Sequence, residues 1–468
     1  MVFGQNDKLV SVDRVAVRSA DAGTAARCAD VAANLRPPCP GGIVTPGARF
    51  TVAGFLTLAA GYHLSYLYKC SGALLGDDLR IAFALSPEQL GLIGAAHFLL
   101  FALVQIPAGA LLDRYEAGRV QSALLVIAAI GSALCASSDN WIPLLTGRAL
   151  IGVGVSGALL AGLRWIAQWC PPHRLALANG VLVALGTMGA VSATVPLEWV
   201  LDAVGWRGVF GGLALVALLL AICVHTTIED RPPSSRRRMP TAKLKAVLCD
   251  RIFLRVAPLS ASCLGTAWAF QSLWAAPWLA DVEQMPCNLV VGHMLVMACG
   301  LVCGALFLGL AAHRLRSVGA RTIDVLAGAA LLFVMLEVSI LFRIAPPTYV
   351  TWGAIGAFGS ISVLSFAVMS ERFCVNGLGS ANAPPNLMHM LTAFGMQWAM
   401  GAIVGQWQPD VGGHYPAAAY FAGLSIALTV QLVALVWFAF LPAVWRSRDD
   451  QRGPQPAISP DQPGAGAS

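Results

Sequence analysis

Apolar stretches of about 18 or more residues, with few charges, recur along this chain, and each can cross roughly 30 Å of hydrocarbon as a helix. A chain of this kind must satisfy its backbone N–H and C=O groups within its own helices, because lipid offers them no partner. Twelve such stretches are readable. The first six lie near 51–74, 88–112, 120–138, 142–168, 176–199 and 207–226, and the second six near 254–280, 289–312, 322–342, 349–371, 384–406 and 417–441. Charged residues make up only 12% of the chain, against roughly 25% in a soluble domain. The expected fold class is therefore an all-α membrane protein of twelve transmembrane helices, numbered here as spans 1 to 12. A soluble core of this size is excluded.

Between spans 6 and 7 lies a basic stretch from Arg231 to Arg251, containing Arg236, Arg237, Arg238, Lys243 and Lys245. It divides the chain into two six-helix bundles, 50–226 and 252–445, joined by a cytoplasmic linker at 227–251. Residues 1–49 are polar and end in a Pro- and Gly-rich run; they read as a disordered cytoplasmic tail, not as a signal peptide. Residues 446–468 read as a second such tail. Arg114, Arg119, Arg174, the linker cluster, Arg314, Arg316, Arg321, Arg446 and Arg448 all fall on one side of this plan, while loops 281–288 and 409–416 carry no Lys or Arg. Positive charge stays in the cytoplasm, which places both termini on the cytoplasmic side. The linker cluster is read as an orientation signal that meets lipid headgroups, with no nucleic-acid role. The 12 cysteines are scattered through apolar segments, and Cys299 and Cys303 lack the paired spacing of a metal or redox site. No cofactor and no metal are expected.

The most distinctive polar stretch runs from Gln105 to Arg119, where Asp113, Arg114 and Arg119 lie between spans 2 and 3. Gly109, Leu111, Asp113 and Arg114 resemble the Gly-x-Leu-x-Asp-Arg signature loop of the major facilitator superfamily, a family of transporters. The family's later glycine is displaced: Glu116 stands there and the glycine comes at Gly118, which implies a looser turn. The resemblance implies a gating role for Gly109, Asp113, Arg114 and Arg119, with Asp113 latching the halves near the start of span 11 at Asn382-Ala-Pro-Pro385. Arg148 and Gly152 resemble the family's Arg-x-x-x-Gly run in span 4, and Gly205-Trp-Arg-Gly-Val-Phe210 fits the opening of span 6. The second half departs from the pattern: His313 stands where its signature aspartate would be, and span 5 lacks the Gly-Pro pair of antiporters. Gly152-x-Gly154-x-x-Gly157 has the letters of a dinucleotide loop, but no strand precedes it and no acid follows at the right distance. It reads as close helix packing.

Polar residues inside apolar helices are costly and normally face a cavity or a partner. On that ground the candidate substrate-binding residues are Tyr62 and Tyr66 on span 1, Arg148 and Arg164 on span 4, Gln271 and Trp274 on span 7, and His389 and Gln397 on span 11. Lys69 continues the Tyr62–Tyr66 face, with an outer-interface position as the alternative. Glu198, read on span 5, is the nearest acid in depth to Arg148, while His97 and Glu337 have no assigned role. Two arginines on one span favour an organic anion. The resemblance implies secondary transport of a small-molecule substrate across a bacterial-type inner (plasma) membrane by a monomer through alternating access, with protons as coupling ion in symport. It is not an enzyme, since its acids and histidines are too dispersed for a catalytic set. A non-transporting sensor or scaffold of the same fold, and a drug or metabolite exporter, are the alternatives.

Overall fold

The computed structural model describes residues 51–171, 174–228, 247–344, 348–372 and 378–451. Residues 1–49, the second tail from 452 onward and the linker's basic cluster lie outside the described residues, as does the side chain of Asp113; over 446–451, the start of the expected second tail, the span 12 helix continues. All regular secondary structure among the described residues is helical.

Span 1 comprises Val52–Cys70 and Gly72–Phe83, span 2 Pro87–Arg114, span 3 Ala117–Ala136, and span 4 Trp141–Val155 and Ala158–Trp169. Spans 5 and 6 are Leu175–Ser192 and Val195–Thr227. Span 7 starts as Arg251–Ala269 and runs on to Val282, span 8 is Cys287–Ser317, and span 9 is Thr322–Leu341. Span 10 comprises Tyr349–Gly359 and Ser362–Arg372, span 11 is Leu378–Val404 and span 12 is Ala417–Gln451. Ten of these stretches have the length and apolar character to cross a membrane. Span 1 is split at Ser71, and the apolar part of span 5, Leu177–Ser192, is short. The end of the bundle where span 1 begins is called the tail side below, and the opposite end the far side.

Helix boundaries follow local chemistry. Ser86 accepts from the Gln89 N–H, and the Gln89 side chain accepts from the Ser86 N–H, a reciprocal cap with Pro87 in the first turn of span 2. Asp250 accepts from the N–H groups of Ile252 and Phe253 to open span 7. Gly205 takes φ 68°, where a Cβ is disfavoured, and bends the chain between the two parts of span 6. Val195 begins its own helix, so Glu198 lies beyond span 5, on the far side, accepting from Cys287 Sγ at 3.8 Å.

The turn between spans 2 and 3 is tighter than the sequence implied. The span 2 helix continues through Arg114, Tyr115 N–H returns to Leu111 O, and span 3 starts at Ala117. Glu116 adopts φ −64° and ψ 136°, ordinary extended backbone that requires no glycine.

Small residues set the closest helix contacts, as expected where lipid provides no hydrophobic drive between helices. A Cβ on Gly152 would collide with His97 O of span 2, and one on Gly154 with Ala128 of span 3, so the glycine-rich letters of span 4 serve packing. Hydroxyls add cross-helix bonds: Ser132 Oγ donates to Phe210 O, Ser122 Oγ to Ala221 O, and Tyr68 Oη to Leu213 O. In the second half, among the described residues, the tail side carries two ion pairs between spans, Arg316–Glu371 at 2.8 Å and Arg372–Asp250 at 3.2 Å. They join spans 8, 10 and 7 where the second signature aspartate is replaced by His313.

Candidate substrate site

Spans 1, 4, 7 and 10 each lose regular α-helix part-way. Span 1 breaks at Ser71, span 4 at Ser156–Gly157 and span 10 at Ser360–Ile361; span 7 is π-helical over Phe270–Trp274 and Trp278–Val282. Such interruptions leave backbone groups for side chains or ligands to take up, and π turns recur at functional positions. Two cations, one from span 1 and one from span 4, lie in the interior beside the span 1 break.

Lys69 is 6% exposed, just before the span 1 break. Its Nζ lies 4.9 Å from the ring centre of Tyr66, 4.4 Å from that of Phe101 on span 2, and 5.4 Å from that of Trp268 on span 7. The cage thus draws on both halves of the chain. A desolvated cation over an aromatic face gains about 2 kcal/mol, which offsets part of the cost of burying the ammonium.

Arg148, 3% exposed, donates from Nη1 to Tyr68 O at 3.3 Å and to Ser71 Oγ at 3.4 Å, at the span 1 break. Its Nε has no partner. Neither Lys69 nor Arg148 has a carboxylate within ion-pairing distance among the described residues, and Glu198 is engaged elsewhere. His97 is fully buried within the field of both cations, and neither of its ring nitrogens has a partner.

Around this pair, Tyr62 donates to the Tyr66 hydroxyl at 3.5 Å, and Tyr66 meets Trp268 at 5.4 Å between ring centres. Gln271, one turn after Trp268, is 3% exposed with both amide atoms unpartnered. It borders a small cleft shared with Leu264, Trp268, Met297 and Leu301.

Other candidates are placed apart from Lys69. Trp274 Nε1 donates to Gln397 O at 3.1 Å and Ser272 Oγ to Gln397 Oε1 at 2.8 Å, tying span 7 to span 11. His389 is fully buried with Nε2 3.1 Å from Ser260 Oγ. Arg164 is half-buried on the second helix of span 4 and is engaged there. Of the gating residues, Gly109 faces open space, Arg114 is exposed over the Tyr115 ring, and Arg119 pairs with Glu116 at 2.6 Å. Phe101, Trp268 and His97 complete the interior without having been singled out as site residues; each is an ordinary packing residue in its own span.

The two halves are joined on the far side. A Cβ on Gly72 would lie 2.6 Å from Ser272 O, so span 1 meets span 7 backbone to side. Gly401 of span 11 approaches Pro87 O and Gly91 of span 2 just as closely. At the far-side surface the Asp281 carboxylate takes His414 Nδ1 at 2.7 Å, the Tyr415 N–H at 3.2 Å and the Tyr420 hydroxyl, and Arg80 of span 1 lies against Gly413.

The hydrogen bond from His414 to Asp281, and then the charge of that carboxylate, hold the His414 pKa above its ordinary value, with Arg80 opposing. A raised folded-state pKa contributes stability that is full below the unfolded value of about 6.5 and is lost as pH rises through the folded one. The thermal midpoint is therefore expected to fall as pH is raised across that window, and His414→Gln should flatten the fall. An unchanged pH slope in the variant would contradict the clasp.

Residues 40–406 match the sequence profile of the Major Facilitator Superfamily. The chain is 25% identical over 186 residues to the nitrate/nitrite transporter NrtP of Picosynechococcus sp., covering 34% of this chain and 35% of that protein. It is 24% identical over 189 residues to the probable sulfoacetate transporter SauU of Cupriavidus necator, covering 40% of this chain and 44% of that one. The matched stretches thus span less than half of these curated relatives. Among solved structures, a bacterial homologue of the human lysosomal transporter Spinster aligns with a TM-score of 0.66 at 15% identity, over 84% of this chain and 97% of that one. The D-xylose–proton symporter aligns with a TM-score of 0.61 at 15% identity, over 82% and 96%. With the profile covering most of its length and its helices following the same fold, this multi-pass membrane protein belongs to the major facilitator superfamily.

Proposed function

We propose that the chain is a secondary transporter of a small organic anion, held between Lys69 and Arg148 and exposed alternately to the two sides of the plasma membrane. One observation carries this reading: two buried cations beside the break of span 1 have no carboxylate partner among the described residues. A buried charge is normally paired; here the missing partner is supplied by the substrate. Gln271, with both amide atoms free, offers a donor and an acceptor for the substrate's polar end. The rings of Tyr66, Phe101 and Trp268 exclude water and make the site selective for anions carrying an apolar or planar body.

The relatives named for nitrate, nitrite and sulfoacetate carry anions by their names, which is compatible with this charge. The energy source in this reading is proton symport; the sequence holds no phosphate-binding Gly-x-x-x-x-Gly-Lys-Ser/Thr loop for direct use of ATP. The far-side contacts correspond to one end state, with Gly72 against span 7 and Gly401 against span 2. Asp113 with Arg114 and Arg119 would latch the tail side in the opposite state, and both termini are cytoplasmic.

Uptake of labelled small anions into proteoliposomes tests the proposal. Saturable uptake of at least one carboxylate or sulfonate, driven by an inward proton gradient, is the expected result. Uptake confined to neutral or cationic solutes would refute the anion assignment.

A further inference from the structure

Glu337 has no place in the cation site. It lies in the far-side half of span 9 and is 4% exposed. Its carboxyl borders a small apolar cleft with Thr266 and Phe270 of span 7, Ile355 of span 10 and Leu424 of span 12. A carboxyl at membrane depth is expensive to keep and marks a functional position by default.

The hydrogen bonds around it are unbalanced. Glu337 Oε2 has no partner. Gln431 of span 12 lies within hydrogen-bonding reach of the carboxyl. Gln431 Nε2 donates to Thr266 Oγ1 at 2.9 Å, and Thr266 Oγ1 donates to Ser262 O at 2.9 Å. That leaves Gln431 Oε1 without a partner as well. Each of these two neighbouring side chains thus keeps one buried oxygen without a donor. Leaving buried polar atoms unsatisfied costs stability, because their bonds to water are lost and not replaced. One proton on Glu337 removes both deficits, because its O–H then donates to Gln431 Oε1.

We propose that Glu337 is a proton-binding site whose occupancy is read by the Gln431 amide and passed to span 7 through Thr266. With the proton bound, the chain of donors runs Glu337 O–H to Gln431 Oε1, Gln431 Nε2 to Thr266 Oγ1, and Thr266 O–H to Ser262 O. When the proton leaves to water, the carboxylate calls for a donor. The Gln431 amide turns over, Nε2 donates to Glu337, and Oε1 accepts from Thr266. Thr266 then lets go of Ser262 O. This change falls one turn before the π-helical stretch Phe270–Trp274, which carries Gln271 and the Ser272 and Trp274 bonds to span 11. Protonation of span 9 is thereby linked to the helix that meets both the cation site and the far-side seam. The titratable side chain facing Glu337 is Cys263 of span 7. Spans 10 and 12 present Ile355, Leu424 and Gln431, none of which titrates, so no charged group competes for the role among the described residues.

The link to transport rests on the reading above; the proton site itself is tested without substrate. The full-length protein in lipid nanodiscs is titrated by infrared difference spectroscopy, with hydrogen exchange of the 262–274 backbone followed at the same pH steps. Wild type is expected to gain a protonated-carboxyl band as pH is lowered, together with a change in exchange over span 7. Glu337→Gln, near-isosteric with the protonated acid, should lose the band and hold span 7 in the low-pH pattern at every pH. Gln431→Leu should keep the band and lose the exchange response. If Glu337→Gln destabilises the fold, Glu337→Asp serves in its place, with the band retained at a shifted midpoint. The same band in Glu337→Gln, or an exchange pattern in wild type that does not change with pH, would overturn the proposal. Failure of wild type to take up any anion would remove the transport reading and leave this result standing.

Discussion

Arg148→Ala is expected to weaken binding of the transported anion by about 2–4 kcal/mol, roughly 30- to 1,000-fold in Kd. Removing one of two buried cations leaves the anion facing Lys69 alone. The loss should not be one of folding: the guanidinium makes only two long bonds, 3.3 Å to Tyr68 O and 3.4 Å to Ser71 Oγ, and burying an uncompensated arginine is itself costly. The ligand-free variant should therefore melt within a few degrees of wild type while losing ligand-dependent stabilisation. Arg148→Lys should recover part of the affinity, since it restores the charge without the planar fork. A variant that binds as wild type does would show that Arg148 only braces the break in span 1.

Gly401→Leu is expected to stop alternation with the fold intact. At this position spans 11 and 2 touch backbone to backbone, with a Cβ on Gly401 driven into Pro87 O and lying 3.2 Å from Gly91 Cα. Those atoms belong to helix backbones and cannot give way as a side-chain tip does. Overpacking of this kind costs about 1–3 kcal/mol. Charged only to the far-side-closed state, it moves the closed-to-open ratio by about 5- to 150-fold. Spin labels at Asp139 and Val411, both far-side and exposed, placed in a background freed of accessible cysteines, should report a longer mean distance in Gly401→Leu, and transport should fall to a few per cent. An unchanged distance with normal transport would mean that the seam between spans 2 and 11 does not part.

Much of the architecture was legible because a membrane imposes a length and a composition on each helix. The edges of the apolar runs near 88, 289 and 322 agree with Pro87, Cys287 and Thr322 to within two residues. The interruptions were not legible. Nothing local marks Ser71 or Ser360 as a break, since each is set by contacts with other spans. Val195–Val204 forms a helix of its own between the non-helical residues Thr194 and Gly205, and neither break shows in a run that stays mostly apolar across both, so the span read at 176–199 takes in its start. Glu198 lies on that helix, at the far side, and meets Cys287 instead of Arg148.

The site divides in the same way. The Tyr62–Tyr66–Lys69 face follows from helical spacing alone, but the rings that enclose Lys69 come from spans 2 and 7, and no periodicity predicts that meeting. Trp274 and Gln397 were each conspicuous as polar groups in apolar helices. Their bond to one another across 123 positions of sequence appears only in three dimensions. Glu337 stood out by chemistry from the start, yet its meaning depends on Gln431 and Thr266, which look unexceptional in sequence.

The central claim is that Lys69 and Arg148 await an anion. It is tested most directly by ligand-induced thermal stabilisation of the purified protein, using matched sets of small carboxylates and sulfonates with their neutral amides and esters. A ligand at 100 times its Kd stabilises by about 2.7 kcal/mol, which is readily seen in a melt. The account predicts stabilisation by at least one anion, none by its neutral counterpart, and loss of the effect in both Lys69→Gln and Arg148→Gln. Equal stabilisation by the neutral counterpart, or an effect that survives both substitutions, would contradict it.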